Sequence, residues 1–167
     1  MARPEENSQG DEPAAGRQGS SATASGVARG AGRADTAAGA DSPERPIVGV
    51  IDDDAAVRDS LKFLLEISGF RVLAYASPAE FLAGSGAEAF SCLLVDQHMP
   101  RCTGLELLAR LPERQRDVPA ALITAAPSPD LRERAARMNV RQVLEKPLDE
   151  ALLLQFVGEA AGQPRRR

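Results

Sequence analysis

With no tryptophan, a single tyrosine (Tyr75) and five phenylalanines, any core this 167-residue chain builds has to be aliphatic. No apolar run approaches the ~18 residues that a spanning helix requires, and the N-terminus has no hydrophobic centre of a secretory signal. Membrane insertion is therefore not expected. Two cysteines, Cys92 and Cys102, are too few for a disulfide framework or a thiolate metal site. Cys92, inside the apolar stretch SCLLV, reads as a small buried hydrophobe. A reduced, cytoplasmic location is the default. An excess of positive charge is missing as well: net charge is -4, with acids and bases interspersed, so no basic nucleic-acid footprint is present and direct DNA binding is not expected. The one basic run, Arg165-Arg166-Arg167, reads as a solvated tail.

Composition divides the chain in two. Residues 1–45 hold seven of the fourteen glycines, no aromatic residue and, after Met1, one aliphatic residue larger than alanine, Val27. Such a stretch has too little apolar surface to offset its chain entropy, so a disordered extension is expected. Its seven acidic residues, Glu5, Glu6, Asp11 and Glu12 among them, argue against an organelle transit peptide. Residues 46–161 form the expected domain, and 162–167 a short tail with no output domain after it.

Within the domain, short apolar runs alternate with amphipathic stretches. Strands are expected at Ile47–Ile51, Arg71–Tyr75, Cys92–Val95, Ala120–Ile123 and Gln142–Leu144. Between and after them, helices are expected at Ala55–Ser68 (stopped by Gly69), from Ser77-Pro78 through Ala83, at Gly104–Leu111, at Leu131–Met138 and at Glu150–Ala160. The strands are continuous apolar runs, as in a parallel sheet covered on both faces. Right-handed crossovers then favour an α/β, doubly wound five-stranded sheet, flavodoxin-like, with strand order 2-1-3-4-5. Ligands of such sheets bind beyond the carboxyl ends of the strands.

Those ends carry the chemistry. Strand one runs into Asp52-Asp53-Asp54, strand three into Asp96, strand four into Thr124 and strand five into Glu145-Lys146-Pro147. Like charges about 5 Å apart repel by roughly 3 kcal/mol at an effective dielectric near 20, so such a cluster needs a counter-charge. Carboxylates at a wet rim suit Mg²⁺, which takes one or two of them with waters and a phosphate oxygen. An ammonium and a hydroxyl beside them fit phosphoryl transfer onto a carboxylate. Asp54 precedes the first helix and reads as its N-cap rather than a ligand.

VIDDD (50–54), LLVDQHMPRCTGLELL (93–108), LITA (122–125) and LEKPL (144–148), in this order and spacing, resemble the receiver domain of bacterial two-component response regulators. The resemblance implies that Asp96 is the phosphoacceptor, attacking the phosphohistidine of a sensor histidine kinase. It implies that Asp53 binds Mg²⁺ directly, that Asp52 holds the metal's water, and that Asp96 and the backbone carbonyl of His98 complete the metal site. Lys146 would pair with the phosphoryl group, and Thr124 would turn its hydroxyl towards it, helped by the backbone N–H of Ala125. A cis Lys146-Pro147 peptide is expected on the same ground. The protein would then be a signalling domain that gains and loses its own phosphoryl group, not an enzyme. As a stand-alone receiver it would act on an unknown downstream protein or relay or drain phosphoryl groups, as a monomer or a phosphorylation-dependent dimer.

Two departures stand out. Val143 occupies the position, three before Lys146, where the family often has an aromatic residue, so switching through the last strand is in question. Met138-Asn139 replaces a usual small Gly-Ala pair. The alternatives are a phosphorylation-independent binding scaffold, which has no need of Asp52, Asp53, Asp96, Thr124 and Lys146, and a phosphatase-like enzyme. The latter wants an acid–base aspartate two residues after the nucleophile, where His98 stands. The His98 imidazole is expected at the solvent rim.

Overall fold

β-Branched and leucine-rich segments that are apolar along their whole length have to be covered on both sides, and that requirement shapes the fold. The computed structural model describes residues 45–162. The extension expected over residues 1–45 and the tail expected over 162–167 lie outside the described residues, apart from Arg45 and Gly162. Five strands, β1 (Ile47–Ile51), β2 (Arg71–Tyr75), β3 (Phe90–Asp96), β4 (Ala120–Thr124) and β5 (Val140–Glu145), alternate with five helices. These are α1 (Ala55–Ile67), α2 (Pro78–Gly84), α3 (Gly104–Ala109), α4 (Pro129–Ala136) and α5 (Glu150–Ala161), with a single 3-10 turn at Glu113–Gln115. All pairings are parallel, and the sheet order is β2-β1-β3-β4-β5, as the sequence predicts.

The period-two alternation of a strand sorts the core. From β3, Cys92 and Leu94 pack with Val48, Val50, Leu61, Leu65, Leu153 and Phe156, beneath α1 and α5. Leu93 and Val95 face the other way, among Ile51, Phe81, Leu105, Leu107, Leu122 and Leu131, beneath α2, α3 and α4. β3 is the middle strand, and all seven of its residues are buried. Each large aliphatic side chain taken fully from water there contributes about 1.5–3 kcal/mol.

Side-chain caps set where the helices begin. Asp54 Oδ1 accepts the N–H groups of Ala56 at 2.8 Å and Val57 at 3.4 Å, as expected of a cap. Ser77 and Ser128, each followed by proline, cap α2 and α4. Thr103 and Glu106 form a capping box at α3, and Asp149 caps α5. α1 stops at a glycine with φ 92, Gly69, a conformation other residues avoid.

Element edges moved by a few residues where tertiary packing outweighs local pattern. β3 starts at Phe90 because Phe90 and Ser91 are buried beside β1. α3 ends at Ala109, and Leu111 reaches the core from the turn after it. α4 begins at Pro129 and ends at Ala136, and β5 begins at Val140. Met138-Asn139 forms a tight turn into β5: Asn139 has φ 53, and its Nδ2 donates to the carbonyls of Arg116 at 3.2 Å and Val118 at 3.4 Å. Asparagine tolerates that left-handed conformation better than other non-glycine residues.

Candidate functional site

The parallel sheet delivers the C-terminal ends of β1, β3, β4 and β5 to one edge, and with them Asp52, Asp96, Thr124 and Lys146. Asp52 and Asp96 are carboxylates with only 1% and 3% of their surface exposed. The Lys146 ammonium sits between them, 2.6 Å from Asp96 Oδ1 and 3.1 Å from Asp52 Oδ2. Burial pushes the Asp52 carboxyl above its ordinary value, against the opposing pull of the Asp54 N–H and Lys146. Burial works to lower the Lys146 ammonium, yet its hydrogen bonds to Asp96 and Asp52 outweigh it and hold that group above its ordinary value.

The remaining oxygens are tied to backbone. Asp52 Oδ1 accepts the Asp54 N–H at 2.8 Å, and Asp96 Oδ2 accepts the His98 N–H at 2.5 Å. Gln97 is buried, and its Oε1 accepts the Leu105 N–H at 3.2 Å while its carbonyl accepts the Gly104 N–H at 3.2 Å. α3 is thereby joined to the loop that follows Asp96. A Cβ on Gly104 would lie 2.5 Å from the Asp96 carbonyl oxygen, so only glycine fits there.

Thr124 is fully buried; its hydroxyl accepts the Ala126 N–H at 3.2 Å and lies 3.5 Å from His98 Nδ1. The His98 ring is exposed, as expected, but it leans on Thr124. Asp53 and Ala125 are exposed on the loops after β1 and β4. The Lys146-Pro147 peptide is cis. Val143 is half-buried against the core and lines an open cleft of about 410 Å³ with Lys146, Pro147 and Leu152.

Three expected residues, Asp52, Asp96 and Lys146, are in direct contact; Thr124 and His98 form a second group, and Asp53 stands outside both. Among the described residues no three carboxylate, imidazole or thiol groups converge into a preformed metal cage. The donor set nevertheless fits Mg²⁺, which is held by one or two carboxylates and completed by water and phosphate oxygens. Two buried carboxylates and the exposed Asp53 still outnumber the Lys146 ammonium and the Arg58 guanidinium on the Asp52 carbonyl, and all the donors are hard oxygens.

Sequence reasoning missed two residues. Arg58 Nη1 donates to the Asp52 carbonyl at 2.7 Å, and its signal was its place one helical turn beyond the Asp54 cap. Gln97 had no local signal, because its partner Leu105 is eight residues away across a loop.

The family model of the response regulator receiver domain matches residues 48–158. The chain belongs to that receiver family. Transcriptional regulatory protein FixJ of Azorhizobium caulinodans is 38% identical to this receiver over 121 residues, which are 72% of this chain and 57% of that protein. A crystal structure of full-length FixJ from B. japonicum matches with a TM-score of 0.62 and 35% identity, over 69% of this chain and 57% of that one. The crystal structure of FixJ-N matches with a TM-score of 0.65 and 27% identity, over 73% of this chain and 98% of that one. The chain thus spans a little over half the length of FixJ itself. Among the described residues, no helix of the receiver is long and apolar enough to cross a membrane.

Proposed function

We propose that this receiver accepts a phosphoryl group on Asp96 from the phosphohistidine of a sensor histidine kinase, with Mg²⁺, in the cytoplasm, and that the modified form changes its binding to a downstream protein or passes the group on. The observation that carries the reading is the buried Asp96 carboxylate with the Lys146 ammonium 2.6 Å from it. A carboxylate oxygen of Asp96 forms the new P–O bond as the P–N bond of the phosphohistidine breaks; the bond's electron pair stays on that ring nitrogen, and with a proton on its other nitrogen the ring departs as neutral imidazole. Lys146 stands beside Asp96 to neutralise a phosphoryl oxygen, and it remains paired to Asp52 as it does so. The Thr124 hydroxyl and the Ala125 N–H supply hydrogen bonds from the neighbouring strand end. Asp52, Asp53, Asp96 and the His98 carbonyl are the groups that would hold Mg²⁺. When bound, the cation offsets charge between the carboxylates and the phosphoryl oxygens.

Incubating the full chain with acetyl phosphate or candidate kinases and Mg²⁺, then measuring intact mass, tests this. One added phosphoryl group is expected in the wild type and none in Asp96→Ala. An undiminished adduct in Asp96→Ala, or no adduct in wild type with any competent donor, overturns the proposal.

A further inference from the structure

We infer that Arg58 is a positioning residue for the divalent cation: it sets the direction in which Asp53 presents its carboxylate. The inference rests on the Mg²⁺ reading above and adds to it a residue outside the set assigned there. Asp53 is exposed, between the buried Asp52 and the helix cap Asp54, and among the described residues its carboxylate has no hydrogen-bond or ion-pair partner to orient it. Its backbone does. The peptide on its N-terminal side ends in the Asp52 carbonyl, which accepts from Arg58 Nη1 at 2.7 Å. The peptide on its C-terminal side begins with the Asp54 N–H, which donates to Asp52 Oδ1 at 2.8 Å. Both peptide planes are rigid, so fixing them leaves only φ and ψ of Asp53 between two anchored plates. The direction of its Cα–Cβ bond follows.

Each anchor is itself held. The Asp52 carboxylate is buried and bonded to Lys146. Arg58 belongs to α1, where its N–H donates to the Asp54 carbonyl at 3.0 Å, and Asp54 caps that helix. Hydrogen bonds among Arg58, Asp52 and Asp54 therefore flank Asp53 on both sides. Partners that orient a metal ligand in this way typically change metal affinity about 10–100-fold when removed.

A guanidinium beside carboxylates also repels a cation, and this gives the test a sign. If Arg58 acts only as a nearby charge, removing it tightens Mg²⁺ binding. If it positions Asp53, removing it weakens binding. Mg²⁺ alone is titrated into the full chain, with affinity read from amide chemical shifts, for wild type, Arg58→Met and Arg58→Lys. Arg58→Met is expected to bind about tenfold more weakly, with Arg58→Lys between it and wild type, because lysine keeps one donor. In Arg58→Met without Mg²⁺ the Asp53 amide resonance should also shift, since it belongs to the plate that Arg58 anchors, while the Asp54 amide stays bonded to Asp52 Oδ1. Equal or tighter binding in Arg58→Met overturns the inference. Should Arg58→Met not fold, equal or tighter binding in Arg58→Lys overturns it and weaker binding supports it. A wild-type chain that does not bind Mg²⁺ overturns the parent reading as well, which separates the two failures.

Discussion

Replacing Gly104 by alanine puts one methyl group against the backbone of the phosphoacceptor candidate. The new Cβ would lie 2.5 Å from the Asp96 carbonyl oxygen and 2.8 Å from Leu122 Cδ1, whereas ordinary contact begins at 3.4 Å. The leucine tip can turn aside, but the carbonyl belongs to the middle strand and cannot. α3 must lift away from β3, straining the Gly104 N–H bond to Gln97 and the Leu105 N–H bond to the Gln97 side chain. Overpacking of this kind costs about 1–3 kcal/mol. Reduced freedom of the unfolded chain returns about 0.4–1 kcal/mol, which leaves a net loss of about 0–2.6 kcal/mol, with about 1.3 kcal/mol at its centre. For a domain of this size that is a fall of roughly 4–10 °C in Tm. Gly158→Ala is the matched control: it lies within α5, its added Cβ meets nothing within 4 Å, and so it should raise Tm. Thermal unfolding followed by circular dichroism, with a chelator present, measures both. A Gly104→Ala variant that melts at or above the wild-type temperature, while Gly158→Ala rises as expected, refutes the packing account. Because the struck atom belongs to Asp96, the folded Gly104→Ala protein should also acquire a phosphoryl group more slowly.

Lys146→Met leaves Asp52 and Asp96 facing each other without their counter-ion, and should destabilise the domain by about 2–3 kcal/mol, the lower side of what losing a buried partner costs because the lysine side chain is 28% exposed. The Lys146 ammonium is held above its ordinary 10.5, so its stabilisation is complete below that pH and is lost as pH rises through the folded value. Urea melts across the alkaline range should show this slope in wild type and not in Lys146→Met. Asp54→Ala removes the cap of α1 and should lower stability by about 1 kcal/mol in urea melts, with Asp54→Ser recovering most of it. Burial pushes the Cys92 thiol up to about 12, so in the native protein a thiol reagent should modify the half-buried Cys102 and spare Cys92 until denaturant is added.

What the residues disclosed in advance follows a physical divide. Fully buried parallel strands are apolar from end to end, so Cys92–Val95 and Ala120–Ile123 were legible, and with them the edge where Asp96 and Thr124 stand. Asp54 was legible as a cap because capping is decided within three residues. β5 was read too short because it is an edge strand of mixed burial, with Arg141 exposed and Val140 buried at its start. The Ser128-Pro129 start of α4 was missed although Ser77-Pro78 was recognised: each helix buries two residues, but those of α2 include the large Phe81, whereas α4 buries Leu131 and the small Ala135 among Asp130, Arg132, Glu133 and Arg134. The lean of His98 on Thr124 and the Gln97 brace join parts of the chain that meet only when the sheet is complete.

The Lys146 contacts reach back 50 residues to Asp96 and 94 to Asp52. During synthesis the two carboxylates are made long before their counter-ion, and until β5 adds to the edge of the sheet they would have to be buried against each other's charge. The end of β3 and the end of β1 therefore have reason to stay open until the last strand docks, so the site closes late, as non-local contacts do. A chain that has emerged only as far as β4 holds much of the core but not a settled Asp96 carboxylate. Closing of the sheet and neutralisation of the two carboxylates then coincide in one event, the arrival of Lys146 at the end of β5.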